Sequence, residues 1–138
     1  MVATDIRTAP QSTTRRRAVH ITLWTAQILL AVFFAAAAVP KLLGDPTAVA
    51  SFEAIGFGQW FRYLTGACEL AGAIGLLIPR LSGLAATGLV GVMVGATITN
   101  LFLLPGMAPV AVVTVLLGAV FALIAWARRT EIRSLLQR

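Results

Sequence analysis

An all-α, membrane-embedded four-helix bundle is the fold class that this 138-residue sequence predicts, and three observations predict it. Hydrophobic residues make up 59% of the chain and charged residues 12%, against about 25% charged in an ordinary soluble domain. Four apolar runs of roughly 17 to 24 residues are each long enough to cross a hydrocarbon core of about 30 Å as a helix. The arginines flank these runs far more often than they interrupt them, as insertion into a bilayer demands. A mean hydropathy of +0.90 agrees, and no strand-like alternation competes.

Residues 1–18 are polar, rich in Thr and Arg and without a hydrophobic period, so a disordered cytoplasmic tail is expected there. The bundle is expected over 19–128, with a basic cytoplasmic tail at 129–138. Span one runs from about Ile21 to Leu43. Arg15 to Arg17 ahead of it also give the outline of a signal peptide, with Ala35 to Ala38 as small residues for cleavage and Thr14-Arg15-Arg16 as a faint twin-arginine echo. The run is longer than a signal core of about 7 to 15 residues and leads straight into Pro40-Lys41, which favours a retained span.

The link to span two, Pro46 to Ile55, has Asp45 as a helix cap and Pro at the first helical position. Val49, Phe52 and Ile55 share one face, and Gly56-Phe57-Gly58 ends the segment. A short interfacial helix on the outer surface is expected, beside an aromatic cluster of Phe57, Trp60, Phe61 and Tyr63 at headgroup depth. Span two runs from about Trp60 to Ile78, span three from Leu81 to Leu104 and span four from Ala108 to Ala127. Pro79-Arg80 and Leu104-Pro105-Gly106 leave room only for antiparallel hairpins.

Arg7, Arg15, Arg16, Arg17, Arg80, Arg128, Arg129, Arg133 and Arg138 all fall on one side of an even number of spans, and only Lys41 and Arg62 on the other. Both termini are therefore expected in the cytoplasm. The pI near 11.4 has a topological origin, and such flanks favour anionic lipid. Nucleic-acid binding would need a basic patch on a folded face, which the flanking pattern does not supply.

Rows of small residues suggest packing faces: Thr87, Gly91, Gly95 and Thr99 in span three, Ala67, Ala71 and Gly75 in span two, Thr114, Gly118 and Ala122 in span four. Any of them serves equally well within one chain or in a homo-oligomer. Helical spacing places Arg62, Thr65, Gly66, Glu69, Gly72 and Ala73 along one face of span two. Glu69 is the only acid inside the four runs, and an ionisable residue at that depth marks an interior site. Lys41, the chain's only lysine, ends span one, and Thr97 and Asn100 sit near the outer end of span three. Lys41, Glu69 and Asn100 are expected to meet in the outer half, with Thr97 and Arg62 nearby and Glu53 closing the site from above. This constellation reads either as a structural network that fixes helix register or as a pocket in which Glu69 accepts a proton or anchors a ligand.

A lone Cys68 excludes a disulfide framework and dithiol chemistry and is expected to be a small packing residue. His20 alone cannot hold haem or a metal, so no metal site is expected. Four tightly packed spans leave no channel.

The runs Val39-Pro40-Lys41-Leu42-Leu43, Phe52-Glu53-Ala54-Ile55-Gly56, Gly66 to Arg80 and Met93 to Thr97 resemble the DoxX-like membrane proteins over roughly Ala31 to Arg128. The most specific element is G-x-x-E-L-x-G-x-x-G-L-L-x-P in span two. The resemblance implies a four-helix protein of the bacterial inner membrane, associated in some relatives with thiosulfate:quinone oxidoreduction or with redox and oxidative-stress assemblies. The family's lysine and glutamate fall on Lys41 and Glu69, whereas Asn100 stands where several relatives carry histidine, which removes the obvious proton shuttle. Binding of a small amphiphile such as a quinone, or a place beside a redox partner protein, is the expectation. A cavity lined by Glu69, Asn100, Thr97 and Phe33, Phe34 or Trp60 would serve it. The alternative is a non-enzymatic anchoring, assembly or transport accessory role with a structural Glu69 network.

Overall fold

The computed structural model describes residues 11–138, and the described residues are helical almost throughout. The helices are α1 (Gln11–Leu43), α2 (Pro46–Ile55), α3 (Gln59–Leu77), α4 (Ser82–Ile98), α5 (Ala108–Ala127) and α6 (Arg129–Leu136), and α4 continues into a π-helical turn at Thr99–Leu103. Three segments are long and apolar enough to cross a membrane: Thr13–Leu43, Ser82–Leu103 and Ala108–Ala127. The remaining long helix, α3, has 19 residues and carries Arg62 and Glu69 on its buried face.

Helix α1 corrects the expected tail. Residues 1–10 lie outside the described residues, as does Arg7, but from Gln11 onward the chain is already helical. Residues 13–22 are exposed on every side, and contact with the bundle starts at about Leu23. At 1.5 Å per residue α1 is about 50 Å long, well beyond one hydrocarbon thickness. Extension is inexpensive because the span below has already formed the nucleus, and arginine is a good helix former. At the other terminus the basic tail folds as α6.

Antiparallel packing sets α1 against α3, α3 against α4, and α4 against α5. The core is one cluster drawn from all four: Ala31 and Phe34, Ala73 and Leu76, Ala86, Leu89 and Met93, Phe121 and Ile124. Phe34 meets Phe121 edge to face at 5.2 Å between ring centres. Large apolar side chains such as Leu29, Val32, Ile74, Leu84, Leu116 and Leu123 point outward from all four long helices. A surface so uniformly apolar suits lipid and not water.

The short helix between α1 and α3 forms as its sequence suggests. Asp45 caps α2 by accepting the backbone N–H of Thr47 at 2.9 Å, Pro46 occupies the first turn, and Phe52 is its buried residue. Phe61 stacks edge-on with Phe52, Phe57 and Trp60 at 5.4 to 5.8 Å.

The small-residue rows need correction. Gly91 and Gly95 face outward, and a Cβ at either would touch nothing within 4 Å. Ala67, Ala71 and Ala122 are exposed as well. The cause is geometric: four residues advance a helix by 400°, so each step of an i, i+4 row drifts about 40° around the axis. A row of four residues sweeps from one face to the flank. The buried residues of α4 are instead Ser82, Gly83, Ala86, Leu89 and Met93, and α3 approaches closely at Gly72, where a Cβ would stand 2.6 Å from the Leu89 side chain.

Candidate functional site

The buried residues of α3 are Arg62, Gly66, Glu69, Gly72, Ala73, Gly75 and Leu76, a single stripe at helical spacing. Thr65, expected on the same face, is half-buried. Glu69 and Lys41 meet across the α1–α3 seam, with Lys41 Nζ donating to Glu69 Oε2 at 2.7 Å. The two antiparallel helices bring them together because Cα–Cβ bonds tilt toward a helix's own N-terminus. Lys41, at the end of α1, therefore leans back along its helix, and Glu69 on α3 leans toward it. Gly66 lets the backbones close up beside the pair: a Cβ there would lie 3.1 Å from the side chains of Lys41 and Leu42.

The Glu69 side chain retains only 7% of its accessible surface and Lys41 retains 21%. The carboxylate is thus the less accessible half of the pair and the ammonium the more open one. Lys41 Nζ also contacts the carbonyl of Ala37, at 3.4 Å. Among the described residues, Glu69 Oε1 accepts no hydrogen bond.

Arg62 does not pair with Glu69. Its Nη1 donates to the carbonyl of Lys41 and its Nε to Gln59 Oε1 at 2.6 Å, and its guanidinium lies 4.2 Å from the ring centre of Tyr63. It closes the open C-terminal end of α1, where carbonyls lack helical partners, and so fixes the backbone that carries Lys41.

The other expected members stand elsewhere. Thr97 shares a 2.7 Å hydroxyl contact with Thr114 and donates to the carbonyl of Met93, joining α4 to α5. Asn100 is half-buried in the π-helical turn, and its amide makes no side-chain hydrogen bond among the described residues. Glu53 is exposed on α2, because inward-facing Phe52 directs its neighbour about 100° around the helix. Phe33 and Trp60 are exposed, and Phe34 belongs to the core. Cys68 is also exposed, lining a shallow groove of about 340 Å³ between α3 and α4 with Ala71, Gly75, Leu84 and Gly88.

A second polar cluster, at the opposite end of the bundle, is absent from the sequence reading. Gln27, fully buried, donates from Nε2 to the carbonyl of Leu76 at 2.7 Å and accepts at Oε1 from Arg128 Nε and Nη2 at 3.2 and 2.9 Å. Arg128 Nη1 pairs with Glu131 Oε1 at 2.9 Å, and Ser82 Oγ donates to Glu131 Oε2 at 3.0 Å. The available signal was Gln27 itself, a polar side chain well inside span one.

The family model for DoxX-like proteins matches residues 25–128, which take in Lys41 and Glu69, Gln27 and Arg128, and the four long helices apart from the start of α1; Glu131 lies beyond the match. The chain belongs to the DoxX-like family. Comparison with curated proteins and with solved structures gives no match to this DoxX-like chain.

Proposed function

We propose that this DoxX-like protein crosses the bacterial inner membrane four times, α3 included, with both termini in the cytoplasm. At Lys41 and Glu69 it receives the polar head of a small amphiphile such as a quinone, as a membrane component of a redox-linked assembly. The observation that supports this reading is the unequal use of the Glu69 carboxylate: one oxygen is bound by Lys41, and the other has no partner among the described residues. No buried side-chain oxygen or nitrogen lacks a partner among the described residues, so that second oxygen is reachable from outside the chain, and ionisable groups at membrane depth serve substrates and ions more often than packing. The ammonium side remains open, and the amide of Asn100 on its π-helical turn adds unused hydrogen-bonding capacity at the same end; such turns recur at functional sites.

A second reading, the anchoring or assembly role, draws on the close α1–α3 seam at Gly66. Purification in mild detergent followed by mass spectrometry of bound small molecules separates the two. Binding predicts a quinone-sized species that is diminished in Glu69→Gln; equal occupancy in both proteins assigns Glu69 to the scaffold alone. For the topology, a cysteine introduced at Asp45 in a Cys68→Ser background is expected to react with an impermeant maleimide from outside intact cells. A cysteine at Arg138 is expected to react only after lysis, and the reverse pattern would invert the orientation.

A further inference from the structure

Helix α6 begins directly after α5 and is too short to persist alone in water. Arg128, Glu131 and Ile132 hold it in place. Glu131 is turned inward to Arg128 and Ser82, and Ile132 packs over Gly83, where an added Cβ would stand 2.9 Å from it. The consequence is electrostatic. Glu131 is the single acid at this end among the described residues, and both of its oxygens are used internally, so the outer surface keeps only its positive charges: Arg15, Arg16, Arg17, Arg80, Arg129, Arg133 and Arg138. At the opposite end the pattern inverts. Lys41 and Arg62 are engaged internally, and Asp45 and Glu53 are exposed.

On the exposed face of α6, Arg129 and Arg133 stand four residues apart, with Thr130 and Ser134 beside them. Like charges at that spacing weaken a helix unless an anion lies between them. Arg129 is held over the Trp126 ring at 4.3 Å and donates to the Trp126 carbonyl at 2.8 Å. Trp126 is 66% exposed on the last turn of the apolar span α5, the position at which tryptophan marks headgroup depth.

We propose that this face, Arg129, Arg133 and Trp126 with the adjoining Thr130 hydroxyl, is a seat for the phosphate of anionic phospholipids in the surrounding leaflet, a proposal that rests on the membrane-spanning reading of α5. Guanidinium forks match phosphate oxygens in pairs. The depth at which α5 ends sets α6 in the headgroup layer, which selects lipid over an acidic protein as the occupant.

The test uses the full chain in nanodiscs of mixed phosphatidylglycerol and phosphatidylcholine, with native mass spectrometry of the lipids retained after gentle delipidation. Wild type is expected to enrich phosphatidylglycerol over its bulk proportion. Each arginine near the surface contributes about fivefold, so R129Q/R133Q is expected to lose about 25-fold in enrichment, and R15Q/R16Q, which removes equal charge from the protruding part of α1, several-fold less. R129K/R133K, with charge kept and forks removed, is expected to fall between wild type and R129Q/R133Q and provides the reading if the glutamine variant is not monodisperse. Equal losses from the two glutamine pairs would mean diffuse attraction and overturn the seat, as would unchanged enrichment in R129Q/R133Q or capture of an acidic protein in place of lipid. Release of the wild-type chain from membranes by alkaline carbonate would instead sink the spanning reading itself.

Discussion

Removing the cation from the Lys41–Glu69 pair is the most demanding test of the site. In Lys41→Met the Glu69 carboxylate keeps 7% exposure, loses its one side-chain partner and has no other hydrogen bond among the described residues. Breaking a buried pair from one side costs about 3–5 kcal/mol, because the remaining charge is stranded. Removing the acid is expected to cost less. In Glu69→Gln the amide oxygen still accepts from Lys41, and the ammonium, a fifth exposed near the end of α1, can extend toward the headgroups on its four-carbon stem, for a loss of about 1–2 kcal/mol. The double variant K41M/E69L replaces the pair with apolar volume and is expected to return to within about 1 kcal/mol of wild type. Unfolding in mixed micelles of increasing dodecyl sulfate, followed by tryptophan fluorescence, measures all three, and the four proteins form a double-mutant cycle. A Lys41→Met protein within about 0.5 kcal/mol of wild type would show that the carboxylate is solvated and would remove the physical basis of the site.

Gln27→Leu deprives buried Arg128 of the oxygen that accepts two of its N–H groups and leaves the Leu76 carbonyl without its side-chain donor; a loss of about 2–3 kcal/mol is expected in the same unfolding assay. Gly72→Val drives a Cβ to 2.6 Å from the Leu89 side chain and is expected to destabilise by about 1–3 kcal/mol. Gly91→Ala meets open space and is expected to stabilise α4 by up to about 1 kcal/mol through helix propensity. A loss at Gly91, or a change of mass on size exclusion, would reveal a second copy packed on that face. Thr114→Val removes the hydroxyl shared with Thr97 and is expected to cost only about 0.6 kcal/mol, the usual scale of interhelical hydrogen bonds in membranes.

What the sequence made legible depended on how strongly each helix marks its own faces. Arg62, Gly66, Glu69 and Ala73 recur at helical spacing among large apolar residues, so the inner face of α3 could be read directly, and antiparallel pairing then brought Lys41 to Glu69. Helix α4 offers no such contrast. Its glycines, alanines and threonines are spread around the whole circumference, so the depth of Thr97 and Asn100 was readable but their direction was not. Thr97 turns to α5, and Asn100 sits where the helix widens into a π turn that no local residue pattern announced. The Gln27–Arg128 contact joins residues 101 positions apart, with Arg128 assigned to the flanking charge that sets topology.

The two polar clusters differ in how fully they are used, a difference that supports the proposed site. At the α6 end, Gln27 uses one amide N–H and its oxygen, Arg128 a hydrogen on each of its three guanidinium nitrogens, and Glu131 both oxygens. A network engaged at every one of these polar atoms stiffens a bundle and leaves little for a ligand. At the other end, Glu69 uses one oxygen, Lys41 has one short contact and one long one, and Asn100 uses none of its amide. None of that open capacity is buried among the described residues, so it stays within reach of a ligand. Substitutions in the two clusters should therefore act on different quantities. Gln27→Leu is expected to lower the unfolding free energy while the molecules co-purifying with the folded fraction keep their occupancy. Asn100→Leu is expected to leave stability within about 0.5 kcal/mol, as for a surface change that breaks no contact, and to lower that occupancy. If Asn100→Leu instead destabilised the fold and left occupancy untouched, its amide would belong to the scaffold and the contrast between the two ends would collapse.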